Sequence, residues 1–318
     1  MSLTRRTWLT FSIASAAHSQ GGPIREASGV ARMGRHLLIA DDSTVGQYFR
    51  VTLPRVPKPL MILNELDPQP VRLKQASLAI DLEGIEVLAD GRVAVLSERL
   101  RSLVDHDGII AEYDSLFSEV GKRGLEGVAV RPIAKQASRI AVLWEGGFPD
   151  QRSLPGRLRP TQTPQSLLPL VLVHDLPARS RVGRLRMADT VSTVELDVPH
   201  LSGEGPSVQR FRAPDLVWTH IGAGWGFIVL ISSQNAADPP TYAYHWLQRF
   251  GLDGKRVGDP LDLTLHISGA HKGANWEGVC WFEPGKSLVL VHESDAKLPA
   301  AAFVIELPRE WQCPAEGL

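Results

Sequence analysis

The sequence predicts an all-β protein, a single β-propeller of five blades spanning residues 1–318. Three observations predict it. One two-strand pattern recurs five times along the chain. The 28 Gly and 23 Pro fall as frequent punctuation, which suits many short strands joined by turns. No apolar pattern lasts long enough for a helix of more than a few turns. A sixth, degenerate blade has room in the long interval after the third copy, and a β-sandwich or two small β domains is the competing architecture.

Each copy opens on an acidic or polar residue, in most cases followed by Gly and an apolar residue. A turn leads to a second apolar strand that ends in polar or acidic residues. The first copy is Ala27-Ser28-Gly29-Val30, then His36 to Ala40, ending at Asp41-Asp42. The second is Leu82-Glu83-Gly84-Ile85, an Asp90-Gly91 turn, and Val93 to Leu96, ending at Ser97-Glu98. Leu125-Glu126-Gly127-Val128 and Ile140 to Leu143, ending at Trp144-Glu145, form the third. A weaker fourth reads Pro214-Asp215-Leu216-Val217, then Phe227 to Ile231, ending at Ser232-Ser233-Gln234. The fifth is Trp276-Glu277-Gly278-Val279 and Leu288 to Val291, ending at His292-Glu293. Outer strands are expected at 48–53, 71–80, 168–174, 191–198, 242–250, 261–267 and 302–307, four per blade at a repeat of about 40 residues or more. Residues 146–165, rich in Pro, Arg, Gln and Ser, read as an inserted loop.

Residues 1–20 carry two readings. Thr4-Arg5-Arg6-Thr7-Trp8-Leu9 matches a twin-arginine export motif, with Ala14-Ser15-Ala16 as a cleavage site. Leu9, Phe11 and Ile13 also alternate with Thr10, Ser12 and Ala14, the period of a strand that closes the ring. The first reading implies a periplasmic protein, the second is compatible with a cytoplasmic one. Two cysteines, Cys280 and Cys313, are too few for a disulfide framework or a cysteine zinc site. A net charge of −1 disfavours nucleic acid as a partner. No apolar run reaches the roughly 18 residues of a membrane span.

The chemistry lies in the repeat. In a propeller the first strand of each blade lines the central channel, so equivalent positions form rings. Ser28, Glu83, Glu126, Asp215 and Glu277 are expected in one ring, and Asp42, Glu98, Glu145, Ser233 and Glu293 in another. Converging carboxylates repel and raise one another's pKa. A hard cation such as Ca²⁺ offsets that, with Glu83, Glu126, Asp215, Glu277, Asp42 and Glu145 as ligand candidates. Arginine offsets it equally well. Arg25, Arg123 and Arg212 each precede a ring position by three residues, Lys272 lies near the equivalent place in the last blade, and Arg99 follows Glu98. These basic residues either hold an anionic small molecule such as a phosphate or pair with the acids as a structural network. His271, Glu98 and Glu293 are the candidates for acid–base catalysis. No nucleotide loop, hydrolase elbow or zinc-protease motif is present, and no organic cofactor is expected.

Ser28-Gly29-Val30-Ala31, Asp81-Leu82-Glu83-Gly84-Ile85, Ser97-Glu98-Arg99, Gly124 to Arg131 and Trp276-Glu277-Gly278-Val279 together resemble a group of bacterial propellers. These are the esterase-like activity of phytase family, the SdiA-regulated family and DUF3616. The resemblance implies a propeller and, for the phytase-like members, calcium and hydrolysis of phosphate or carboxylic esters. The fourth copy departs from it at Asp215-Leu216 and Ser233, and dense Asp clusters of the phytase kind are missing. Two functions follow: a metal-dependent hydrolase of a phosphorylated or esterified small molecule, or a non-catalytic propeller binding a ligand or an unknown protein partner on its funnel face.

Overall fold

Five sheets make the molecule, and the ladder of strands explains why they close into a ring. The computed structural model describes residues 23–113, 124–134, 136–145, 168–177, 185–186, 192–198, 209–235, 242–267, 269–295, 297–316 and 318. The first blade pairs Ala27–Met33, His36–Asp41, Gln47–Thr52 and Gln69–Arg72 in that order. The second runs Leu82–Val87, Val93–Ser97, Ser102–Asp105 and Gly108–Glu112, with Leu185–Arg186 added in parallel at its outer edge. The third holds Leu125–Ala134, Ala137–Trp144, Leu170–Leu176 and Ser192–Glu195. Gln209–Ile221, Gly224–Asn235, Tyr242–Gly251 and Arg256–Asp262 form the fourth, and Trp276–Glu283, Ser287–His292 and Ala301–Glu306 begin the fifth. The innermost strands touch in ring order, the fifth returning to the first. That is a five-bladed propeller.

Its core is divided among the seams between blades. Leu38 and Ala40 pack on Ile85 and Val95, Leu96 and Leu103 on Val128 and Val142, and Leu143 and Val171 on Leu216 and Val229. Leu230 and Leu247 pack on Trp276 and Leu290, and Val289 and Val291 meet Ile39 and Val51. Each sheet is therefore covered on both faces. Second strands accordingly read as continuous apolar runs, as in Leu37 to Ala40 and Phe227 to Ile231, without the alternation of a half-exposed sheet. The long interval after the third copy supplies the two outer strands of blade three, and five seams account for the ring.

The ring closes in an unexpected place. The outer edge of the fifth blade, expected for residues 9–14, is held by Leu60–Ile62, which pairs Ala301↔Ile62, Ala302↔Met61 and Phe303↔Leu60. Residues 1–20 and the inserted loop at 146–165 lie outside the described residues. The Asn64 side chain then clasps the start of blade one, bonding both the amide (3.1 Å) and the carbonyl (2.8 Å) of Ile24. Two outer strands also shift from their expected bounds. Gln69–Arg72 replaces 71–80, and Arg256–Asp262 replaces 261–267, because Asp262 caps a turn by accepting from Thr264 N. No helix among the described residues is long and apolar enough to cross a membrane.

Candidate functional site

The site begins with a register slip. In four blades the first ladder skips one residue at the same place: Ala27/Gly29, Leu82/Gly84, Leu125/Gly127 and Trp276/Gly278. The bulged residues are Ser28, Glu83, Glu126 and Glu277. A bulge leaves its residue out of the ladder and re-aims its side chain. First strands begin where second strands end, so Asp42, Glu98, Glu145 and Glu293 lie at the same mouth of the channel.

In the fourth blade the slip falls between Arg212 and Asp215, and Asp215 faces Leu230. Its counterparts facing Ala40, Leu96, Leu143 and Val291 are Gly29, Gly84, Gly127 and Gly278. Pro214 thus takes the bulge, and Asp215 stands one residue beyond the ring expected for it. Ser232, rather than Ser233, likewise matches Asp42 and Glu98.

The glycines mark the waist of the channel, where strands approach too closely for side chains. A Cβ on Gly29 would fall 2.4 Å from the Glu83 carbonyl, and one on Gly127 would fall 2.5 Å from Asp215 Oδ1. Asp215 fills the space the other blades leave. It is buried, and its Oδ2 accepts from Val279 N (2.7 Å) and its Oδ1 from Leu216 N (2.9 Å). Its oxygens are occupied by main-chain amides of two blades.

Above the waist the carboxylates gather. One oxygen each from Asp42, Asp81 and Glu83 lie within 4.8 Å of one another. Asp81 adopts φ 60°, the left-handed region that disfavours residues with a side chain, and its carbonyl accepts from Glu98 N at 2.9 Å. Linking blades three, four and five, the Arg212 guanidinium is 2.5 Å from Glu277 Oε1 and 3.8 Å from Glu145 Oε2, and also donates to Asn275 Oδ1. Asn275 Nδ2 in turn donates to Glu277 Oε1 (2.6 Å) and Glu293 Oε1 (2.9 Å). The Tyr242 ring lies 5.7 Å from that guanidinium.

Burial and mutual repulsion push these acids up together. Asp42 rises to about 8 through burial and a hydrogen bond with Asp81, reinforced by the charges of Asp81, Glu26 and Glu277. Glu98 rises to about 7 through burial and the charges of Asp81 and Glu145. Glu293 rises to about 7 through burial and Glu277, against the pull of Asn275 and Arg212. Glu83 and Glu126, more deeply buried and facing other ring acids, rise well above the carboxylate range. Burial works to lower Arg212, but Glu277, Glu145, Tyr242 and Glu126 overcome it and hold the guanidinium charged. Among the described residues the mouth therefore gathers more carboxyl groups than Arg212 can pair, and a hard cation fits the Asp42, Asp81 and Glu83 oxygens by donor type and spacing.

Of the sequence candidates, Glu83, Glu126, Glu277, Asp42, Glu98, Glu145, Glu293 and Arg212 converge here, while Asp215 lies at the waist. The side chains of Arg25, Arg99 and Lys272 are exposed, and Arg123 lies outside the described residues. His271 is buried behind the wall. Its Nδ1 lies 2.8 Å from His292 Nε2, and its carbonyl accepts from the Trp276 indole. Asp81, Glu26, Asn275 and Tyr242 join the site without having been singled out by the Glu-Gly pattern. The only sequence signal for them is position, since Glu26, Asp81 and Asn275 stand just before innermost strands.

No protein-family model matches the chain, and no curated protein matches it. Solved structures with a similar chain path include a gluconolactonase from Xanthomonas campestris, at 12% identity and TM-score 0.40, covering 89% of this chain and 87% of that one. A luciferin-regenerating enzyme is similar at 10% identity and TM-score 0.41, covering 89% of this chain and 92% of that one. Streptogramin B lyase stands at 8% identity and TM-score 0.35, covering 91% of this chain and 86% of that one. Likeness this remote reaches no further than chain path.

Proposed function

We propose that the acidic mouth binds a divalent cation at Asp42, Asp81 and Glu83 and hydrolyses an ester of a small molecule there. The observation that carries this reading is the convergence of those three side chains from two blades, with Asp81 held in a costly backbone conformation. Such a cation, Ca²⁺ being the best match to an all-oxygen set, supplies charge that polarises a carbonyl. Arg212 is committed to Glu277, Glu145 and Asn275, and Arg25, Arg99 and Lys272 point to solvent. That arrangement favours an uncharged carboxylic ester over an anionic phosphomonoester, for which none of Arg212, Arg25, Arg99 and Lys272 offers a fork inside the mouth.

The test is a panel of p-nitrophenyl carboxylic and phosphate esters, assayed with Ca²⁺ and with a chelator, alongside thermal melting. Ca²⁺-dependent turnover of carboxylic esters, and loss of the Ca²⁺-induced rise in melting temperature in Asp81→Asn, are expected. A rise in melting temperature without turnover of any ester would leave a binding propeller. No response to metal at all would make the acids structural.

A further inference from the structure

Two carboxylates at the mouth, Glu98 and Glu293, are only partly buried and stand outside the cation cluster, and their surroundings differ. The Glu98 main chain is bonded to Asp81, a member of that cluster, and its carboxylate accepts from Gly124 N. Glu293 belongs to blade five and is held by a separate network. Asn275, 7% exposed, is the hub of it. Its amide orientation is fixed by its partners, since Arg212 has only donors to offer and the carboxylates only acceptors. Oδ1 must therefore face Arg212, and Nδ2 must face Glu277 (2.6 Å) and Glu293 (2.9 Å). The Asn275 carbonyl also accepts from Glu293 N at 3.4 Å.

From behind, His292 fixes the same residue. His292 Nδ1 donates to the Glu293 carbonyl at 2.6 Å, which leaves Nε2 to accept from His271 Nδ1 at 2.8 Å. Glu293 is thus gripped at its amide, its carbonyl and one carboxylate oxygen. Its Oε2 makes no hydrogen bond to any described residue.

We propose that Asn275 is the positioning residue of this site, holding Glu293 so that Oε2 takes the proton of the attacking water. This rests on the ester-hydrolase reading. One water O–H bond breaks, its proton passes to Oε2, and the water oxygen bonds to the ester carbonyl carbon. The bond from that carbon to the leaving oxygen then breaks, and Glu293 returns the proton to the departing alkoxide. Ester and water give acid and alcohol, with no further reactant. Burial and Glu277 lift Glu293 to about 7, which matches proton exchange near neutrality.

The experiment compares wild type, Glu293→Gln, Glu293→Asp and Asn275→Ala with a p-nitrophenyl carboxylic ester and Ca²⁺, and measures Ca²⁺ binding by calorimetry. Glu293→Gln should lower kcat by about 100-fold or more while keeping Ca²⁺ affinity and KM. Glu293→Asp keeps the charge on a shorter arm, so it should fold and still lose kcat. Asn275→Ala should lower kcat by about tenfold, as lost supporting partners do. It should also move the acidic limb of the kcat–pH profile upward, because the Asn275 amide favours ionised Glu293. If wild type is active and Glu293→Gln stays within about threefold of it, far short of a lost general base, the assignment is overturned. It also fails if Glu293→Gln loses Ca²⁺ binding, which would make Glu293 a ligand, or if the limb in Asn275→Ala does not move. A wild type without esterase activity defeats the underlying reading, and this inference with it.

Discussion

Replacing Asp215 by Ala tests the waist of the propeller directly. The side chain is buried and accepts from Val279 N at 2.7 Å and Leu216 N at 2.9 Å. A buried donor left without a partner costs about 1–3 kcal/mol, so two cost about 2–6 kcal/mol. Relief of the carboxyl group's own burial works the other way, since burial holds Asp215 well above the carboxylate range. A net loss of about 2–4 kcal/mol follows, a sizeable share of the roughly 5–15 kcal/mol that keeps a domain folded. Asp215→Asn should fall between, because its amide oxygen serves one backbone donor while its NH₂ confronts the other. Guanidinium unfolding with m held constant reads both variants. The Ca²⁺-induced rise in melting temperature should survive in Asp215→Asn, since its oxygens are engaged by the main chain. A loss below about 0.5 kcal/mol in Asp215→Ala would refute the reasoning, being no more than an ordinary surface change. So would disappearance of the Ca²⁺ response in Asp215→Asn.

Gly29→Ala should cost about 1–3 kcal/mol in the same assay, as overpacking does, because its Cβ would press on the Glu83 carbonyl at 2.4 Å. Arg212→Met should destabilise by about 3–5 kcal/mol, since it leaves a largely buried carboxylate uncompensated; a neutral result would show that Glu277 is already relieved by something other than its 2.5 Å contact. In chelator, melting temperature should fall as pH rises from 6.5 to 8.5. Asp42 at about 8 and Glu98 and Glu293 at about 7 are raised, so the stability they contribute is present at low pH and lost as they ionise. Below 6.5 the trend is opposed by His245 and His292, lowered to about 3 and about 4, whose contribution is lost as pH falls. Saturating Ca²⁺ should flatten the slope above 6.5; an unchanged slope would separate the acids from metal binding.

The propeller was legible because apolar second strands and Glu-Gly openings recur, and both are direct consequences of radial sheets meeting at a narrow axis. Register was less legible. Matching acid to acid put Asp215 in the ring, whereas the ladder puts Pro214 there. A one-residue slip changes the direction of a strand side chain completely, and letters alone do not reveal it. The closing strand was missed because Leu60–Ile62 is short and follows Pro54, Pro57 and Pro59, which read as a loop. Asn275 and Asp81 were missed because a polar residue two places before the ring position, shared with Glu26, reads as an ordinary loop residue ahead of a strand. Their importance comes from neighbours brought in by other blades, Arg212 for the first and Asp42 for the second.

The strand at Leu60–Ile62 has a consequence for how the circle assembles. It leaves blade one after Thr52, visits blade five, and returns to finish blade one at Gln69, so it is tethered at both ends. A latch of that kind cannot peel away from a free tip. It also makes the first and last units interdependent: neither edge is complete until segments some 240 positions apart have met. Contacts so distant along the chain carry a loop-closure cost before they contribute anything. The circle should accordingly snap shut in one late, cooperative event.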